Sequence, residues 1–151
     1  MLCKEKASAY KVIFEKKLKP IEGVVDFIKR TKEYNIKIAV ASSAKKERVM
    51  LTLDRLKIKD IIDVIITSED VIMSKPNPEI YNSAMSALGV KPENTIIFED
   101  SESGLEAANL SGAKAVFINS SKLDKNIVLQ KYVIDLPNFV NILPEEILKW
   151  I

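Results

Sequence analysis

Hydrophobic positions along this chain recur with two different periods. Residues 4–18 are rich in charge, with Ala7, Tyr10, Phe14 and Leu18 at three- and four-residue steps, which predicts a helix with one apolar stripe. Pro20 ends it and opens a second amphipathic helix that carries Val24, Val25 and Ile28 and runs to Tyr34. Short, continuous apolar runs then predict strands at residues 37–41, 64–67, 95–98 and 115–118, with a brief fifth at 132–134. Helical patterns separate them. One covers about residues 45–57, with Val49, Leu53 and Leu56 on one side. Another starts after Pro78 and stops at Gly89, a residue suited to a helix C-terminus. A third spans about residues 103–111, where Ser103 and Glu106 have capping-box spacing. Pro144 opens a last helix that ends at Trp150. Strands apolar throughout, alternating with helices, predict an α/β fold: a Rossmann-like parallel sheet with helices on both faces.

Composition narrows the class. A chain of 151 residues is one domain's worth, and folding at that size buries about 68–70% of the unfolded surface. With 23 basic and 21 acidic residues, the charge is too balanced to argue for nucleic acid. The single cysteine, Cys3, excludes an internal disulfide and suits a reducing, cytoplasmic compartment. No histidine is present, so Cys–His catalysis and histidine-ligated zinc are excluded. No apolar stretch approaches the ~18 residues that span a bilayer, and no signal-peptide pattern opens the chain. The glycines, at 23, 89, 104 and 112, form no Gly-rich dinucleotide or phosphate loop. Gly104 suits close helix–strand packing better than phosphate contact.

Three segments carry chemistry. In the first, Ile96-Ile97-Phe98 runs into Glu99-Asp100, followed by Ser101-Glu102-Ser103-Gly104-Leu105-Glu106-Ala107-Ala108. Ligands of parallel α/β sheets sit at strand carboxyl ends, and two acids placed there repel unless a cation compensates. An isolated pair of this kind more often caps the next helix. Here two related segments precede it. Ile38-Ala39-Val40-Ala41 ends in Ser42-Ser43-Ala44-Lys45, so hydroxyls meet the N–H groups of the following turn, where a phosphate oxygen can be held. Taken alone, Ser42 would be an ordinary helix cap. Met73-Ser74-Lys75-Pro76-Asn77-Pro78-Glu79-Ile80-Tyr81 puts a lysine before proline, away from helical backbone, with Asn77 and Pro78 suited to start a helix. That braces Lys75 on a stiff loop.

In this order the three segments resemble the haloacid dehalogenase-like phosphatase superfamily, and within it the β-phosphoglucomutase-like branch, from about residue 21 to residue 117. The resemblance implies that Ser42, with Ser43 and Lys45 beside it, contacts the transferring phosphoryl group. It implies that Lys75 stabilises that group and the nucleophile. It implies that Asp100 and Glu99 hold Mg²⁺, Glu99 through water or by fixing a neighbouring loop. Residues 1–19 then correspond to a remnant of a helical cap and residues 20–151 to the α/β core. The implied chemistry is two-step phosphoryl transfer through an aspartyl-phosphate, on a small phosphate monoester such as a sugar phosphate.

One departure is as informative as the match. Family members open with a strand ending in Asp-x-Asp, whose first aspartate is the nucleophile. No two aspartates of this chain are separated by one residue. The resemblance therefore implies the carboxyl-terminal part of such an enzyme, inactive by itself, without the first strand and most of the cap. That strand belongs between the strands ending at Ser42 and Glu99. The gap is expected to be filled by a partner chain or swapped segment, or closed by direct pairing of residues 37–41 with 95–98. The alternatives are a non-catalytic binding protein on the same fold and a receiver-like regulatory module. The last is weakened by the lack of a phospho-acceptor on an early strand.

Overall fold

In the computed structural model, residues 19–120, 128, 130–147, 149 and 150 are described. The cap helix expected at residues 4–18 lies outside them. Helix α1 (Val24–Glu33) is followed by strand β1 (Ala39–Ala41), helix α2 (Lys46–Leu56), strand β2 (Val64–Ile66) and helix α3 (Glu79–Leu88). Strand β3 (Ile96–Glu99), helix α4 (Glu102–Leu110), strand β4 (Lys114–Ile118), strand β5 (Asp135–Leu136) and helix α5 (Pro144–Ile147) complete the order. All pairings are parallel, as expected for apolar runs joined by helices.

The strands form two groups. β1 pairs with β2, with Ala39 opposite Val64 and Ala41 opposite Ile66. β3 pairs with β4, with Ile96 opposite Lys114 and Glu99 opposite Phe117, and β5 adds to β4 through Phe117 and Ile118. Direct pairing of β1 with β3, one of the expected ways of closing the gap, is not formed. Each strand is anchored on its far side by its own partner, and side chains of α1 and α3 lie on the two faces between them. A cleft of about 800 Å³ separates the groups.

Packing follows the strand alternation. Ile97 joins Tyr81, Met85, Leu105, Ala107 and Ala108 in a core under α3 and α4. Ile96 and Phe98 pack on the other side against Phe27, Phe139 and Ile147. Val40 packs with Val49, Leu53 and Ile58 beneath α2, while Ala41 faces the α3 side. β4 is buried on both faces from Ala115 to Ile118, the environment that its uninterrupted apolar run demands.

Several boundaries differ from the sequence expectation. α1 starts at Val24 because residues 20–23 form a turn in which the Val24 N–H donates to the Ile21 carbonyl, 3.1 Å. α4 is capped by Ser101, not by the Ser103–Glu106 box, because the Ser101 hydroxyl accepts the Gly104 N–H at 3.2 Å. The fifth strand is centred later than the β-branched run suggests, although the Val133 N–H already reaches the Ala115 carbonyl at 2.7 Å. α5 is a single turn, held by Ile147 in the core and continued only as a turn at Trp150. The helix end expected at Gly89 is present, with Gly89 at φ +65°.

Candidate active site

β1, β2 and β3 deliver three chain segments to one end of the cleft. At the end of β1 the Ser42 N–H continues the ladder to the Ile66 carbonyl at 2.9 Å, and its hydroxyl accepts the Ala44 N–H at 3.2 Å. Ser42 and Ser43 line the cleft. Lys45 is exposed at the start of α2 and lies outside that lining. The structure therefore groups Ser42 and Ser43 but leaves Lys45 on the rim beyond them.

The loop after β2 is built to hold Lys75. Its first turn is closed by Asp70, whose carboxylate accepts the Thr67 N–H at 2.8 Å and the Thr67 hydroxyl at 2.6 Å. Glu79, in the first turn of α3, accepts the N–H groups of Ile72 and Met73 at 2.9 and 2.7 Å. Those two donors hold the Glu79 carboxyl below the usual carboxylate range. The cap residue of α3 is Pro78 and not Asn77 as expected; Asn77 stands one residue earlier, where its side-chain oxygen accepts the Glu79 N–H at 2.9 Å. Tied at both ends, the loop turns Lys75 inward, where its ammonium donates to Glu99 and lies 4.7 Å from the centre of the Tyr81 ring.

Glu99 collects most of the polar contacts of the site. One carboxylate oxygen accepts from Lys75 and from the Tyr81 hydroxyl. The other accepts the Ser101 hydroxyl at 3.1 Å and, more weakly, the N–H groups of Asp100 and Ser101. Burial alone pushes this carboxyl up, but the Lys75 charge and the hydrogen bonds from Lys75, Tyr81 and Ser101 outweigh it, and the group stays below its ordinary range. The Tyr81 hydroxyl is pushed far up, by burial first and then by the neighbouring Glu99 charge, so it stays a neutral donor.

Asp100 has a different environment. It is exposed, next in sequence to Glu99, and lines the cleft end. Among the described residues, the only acids lining the cleft are Glu99 and Asp100, and no three potential ligands converge. The donor set suits a hard cation such as Mg²⁺ in kind, since carboxylate oxygens are its preferred ligands, but it is incomplete in number.

Sequence reasoning missed Tyr81, Ser101, Asp70 and Glu79. Tyr81 lies on the apolar stripe of α3 and reads as a core residue; its signal was the hydroxyl, which a buried tyrosine must satisfy. Gly104 was read as a packing glycine, and it is one with a specific neighbour. A Cβ at that position would fall on the Glu99 carboxylate.

Comparison with known proteins identifies the family. A model of the haloacid dehalogenase-like hydrolase family matches residues 2–118. The chain is 34% identical over 139 residues to a phosphorylated carbohydrates phosphatase from Thermotoga maritima, covering 91% of this chain and 62% of that protein. A β-phosphoglucomutase from Clostridium difficile superposes with a TM-score of 0.80 at 25% identity, over 97% of this chain and 64% of that one. A family IA hydrolase from Entamoeba histolytica gives a TM-score of 0.82 at 27% identity, over 99% of this chain and 69% of that one. The chain spans about half to three fifths of the length of the curated relatives it matches, from 47% to 62% in the first four. With its parallel sheet and its three strand-end segments, the chain belongs to the haloacid dehalogenase-like hydrolase family, in the β-phosphoglucomutase-like branch.

Proposed function

We propose that this chain is the larger part of a Mg²⁺-dependent phosphatase or phosphomutase acting on small phosphate monoesters, sugar phosphates foremost. The observation that carries this reading is the meeting of Ser42, Lys75, Glu99 and Asp100 at the ends of three parallel strands around one cleft. The relative from Thermotoga maritima is itself named for phosphorylated carbohydrates. A reducing, cytoplasmic setting suits a chain with one cysteine.

The roles follow from the chemistry of each group. An aspartate from outside this chain attacks phosphorus; the bond to the ester oxygen breaks, a bond to the carboxylate oxygen forms, and the leaving alkoxide takes a proton. The Ser42 hydroxyl and the N–H groups of the turn after it hold phosphoryl oxygens. Ser43 lies beside them, and Lys45 is the more distant cation. Lys75, held by Glu99 and Tyr81, offers positive charge to the phosphoryl group without swinging free. Asp100 is the residue that would hold Mg²⁺, with Glu99 acting through water or, as its contacts suggest, by fixing the Lys75 loop. Bound Mg²⁺ supplies charge neutralisation at the phosphoryl oxygens. Water then releases phosphate, or a sugar hydroxyl accepts the phosphoryl group.

The test is direct. The purified chain should not hydrolyse p-nitrophenyl phosphate with Mg²⁺, and the same chain joined to a strand ending in Asp-x-Asp should. Failure of well-folded joined chains would favour the second reading, a non-catalytic binding protein. That reading draws on the lining of the cleft, where among the described residues Asp100 is the only aspartate.

A further inference from the structure

β3 alternates, so Ile97 and Glu99 are buried on one side of it, the side where α3 and α4 pack. Glu99 thus ends the strand inside the core, while Asp100 beside it is exposed at the cleft end. A Cβ at Gly104 would fall on the Glu99 carboxylate, so the group is seated closely against the start of α4. An ionised carboxylate has about four acceptor directions, and five donors meet this one. Oε1 accepts from the Lys75 ammonium and the Tyr81 hydroxyl. Oε2 accepts from the Ser101 hydroxyl and from the N–H groups of Asp100 and Ser101. No acceptor direction is left for a cation.

The five donors are not equally committed. The two N–H groups lie at 3.2 and 3.4 Å, the long end of the range. Lys75 lines the cleft, where an anion would compete with Glu99 for its ammonium. Tyr81 is only 5% exposed, its ring is fixed among Met85, Ile97 and Leu105, and its hydroxyl donates to Glu99. A buried hydroxyl is costly to strand without an acceptor, so Tyr81 keeps its hold on Glu99 even when Lys75 turns to another anion.

We propose that Tyr81 is a positioning residue that sets which cation the site takes. Its hydroxyl pins Glu99, withholds that carboxylate from the metal, and leaves Asp100 as the one carboxylate this chain gives to it. The proposal rests on the Mg²⁺ reading above. Mg²⁺ keeps several of its waters and is served by one or two carboxylates, whereas Ca²⁺ collects more oxygens and accepts carboxylates through both of theirs. A pinned Glu99 therefore suits Mg²⁺. Released from Tyr81, Glu99 keeps Lys75 on Oε1 but regains an acceptor direction, and its last torsion is broad. It then turns toward Asp100, and two adjacent carboxylates make a set better suited to Ca²⁺.

The test is calorimetry of this chain with Mg²⁺ alone and with Ca²⁺ alone. Tyr81→Phe keeps the ring and removes only the hydroxyl. It should raise Ca²⁺ affinity by about tenfold and change Mg²⁺ affinity by less than about threefold, on the scale of changes to groups that orient a metal ligand. In a Glu99→Gln background the same substitution should change neither, because the carboxylate it would release is gone. A hydroxyl that served only the core would leave the ratio of the two affinities unmoved. An unchanged ratio overturns the proposal, and so does a shift that persists with Glu99→Gln. If Asp100→Asn abolishes binding and Tyr81→Phe leaves the ratio as it was, this proposal falls and the Mg²⁺ reading stands. If binding survives Asp100→Asn, or neither ion binds to the chain or to Tyr81→Phe, both fall.

Discussion

Lys75 and Glu99 lie 24 residues apart and form an ion pair with side-chain exposures of only 11% and 8%. A pair so withdrawn from water is stable only when its remaining hydrogen-bonding capacity is used, and Tyr81 and Ser101 use that of Glu99. The pair joins the loop after β2 to the end of β3, so one contact sets both the position of the cation and the shape of the cleft rim.

Removing one partner should therefore be worse than removing both. Lys75→Ala should destabilise the fold by about 3–5 kcal/mol, because Glu99 is left buried without its cation. Adding Glu99→Gln to Lys75→Ala should recover part of that loss. Urea denaturation of the two single variants and the double variant checks the sign of the coupling.

Acid should unlock the same contact. The Glu99 carboxyl is depressed in the folded chain, so near its ordinary range the unfolded state binds more protons than the folded one. Its contribution to stability is present above the unfolded carboxylate value and is lost as pH falls through the lower, folded value. Glu99→Gln should flatten the acid limb of stability against pH, measured by urea denaturation at a series of pH values; an unchanged acid limb would show that Glu99 does not carry it.

Gly104→Ala should damage the site more than its small volume suggests. The added methyl falls on the Glu99 carboxylate, which is held on its other sides by Lys75, Tyr81 and Ser101. Helix propensity alone favours alanine by about 1 kcal/mol, so a net loss of stability isolates the clash. Thermal denaturation decides it: a gain in Tm would mean that Glu99 can shift at no cost.

Metal affinity should be weak and should depend on Asp100. Mg²⁺ gives up water reluctantly, and no cluster of three ligands is assembled among the described residues. Asp100→Asn should abolish the binding that calorimetry detects, while Asp54→Asn should not. Equal affinity in both variants would remove Asp100 from the metal site.

In a chain completed with an Asp-x-Asp strand and active, Lys75→Ala should lower turnover at least ~10²-fold, the scale for losing one preorganised stabiliser of developing charge. Tyr81→Phe should have a smaller effect, since it removes a hydrogen bond to Glu99 and leaves the ammonium in place. Single-turnover rates of the two variants would separate these contributions.

What the sequence determined by itself was local or periodic. Continuous apolar runs foretold parallel strands because a strand buried on both faces tolerates no polar position, and β4 obeys that rule. Gly89 foretold the end of α3, and the Asn77-Pro78 pair its start to within one residue, because turn and cap chemistry acts within a few residues. The strand-end placement of Ser42, Glu99 and Asp100 was legible for the same reason. Which residues meet was decided by the tertiary structure. That Tyr81 serves Glu99 and not only the core, that Gly104 makes room for a carboxylate, and that Ser101 caps α4 in place of Ser103 depend on how α3 and α4 dock on β3. The open edges of β1 and β3 depend on it too. A strand's hydrophobic pattern records that both its faces are covered, but backbone hydrogen bonding is common to all residues and leaves no mark of which neighbour pairs with it.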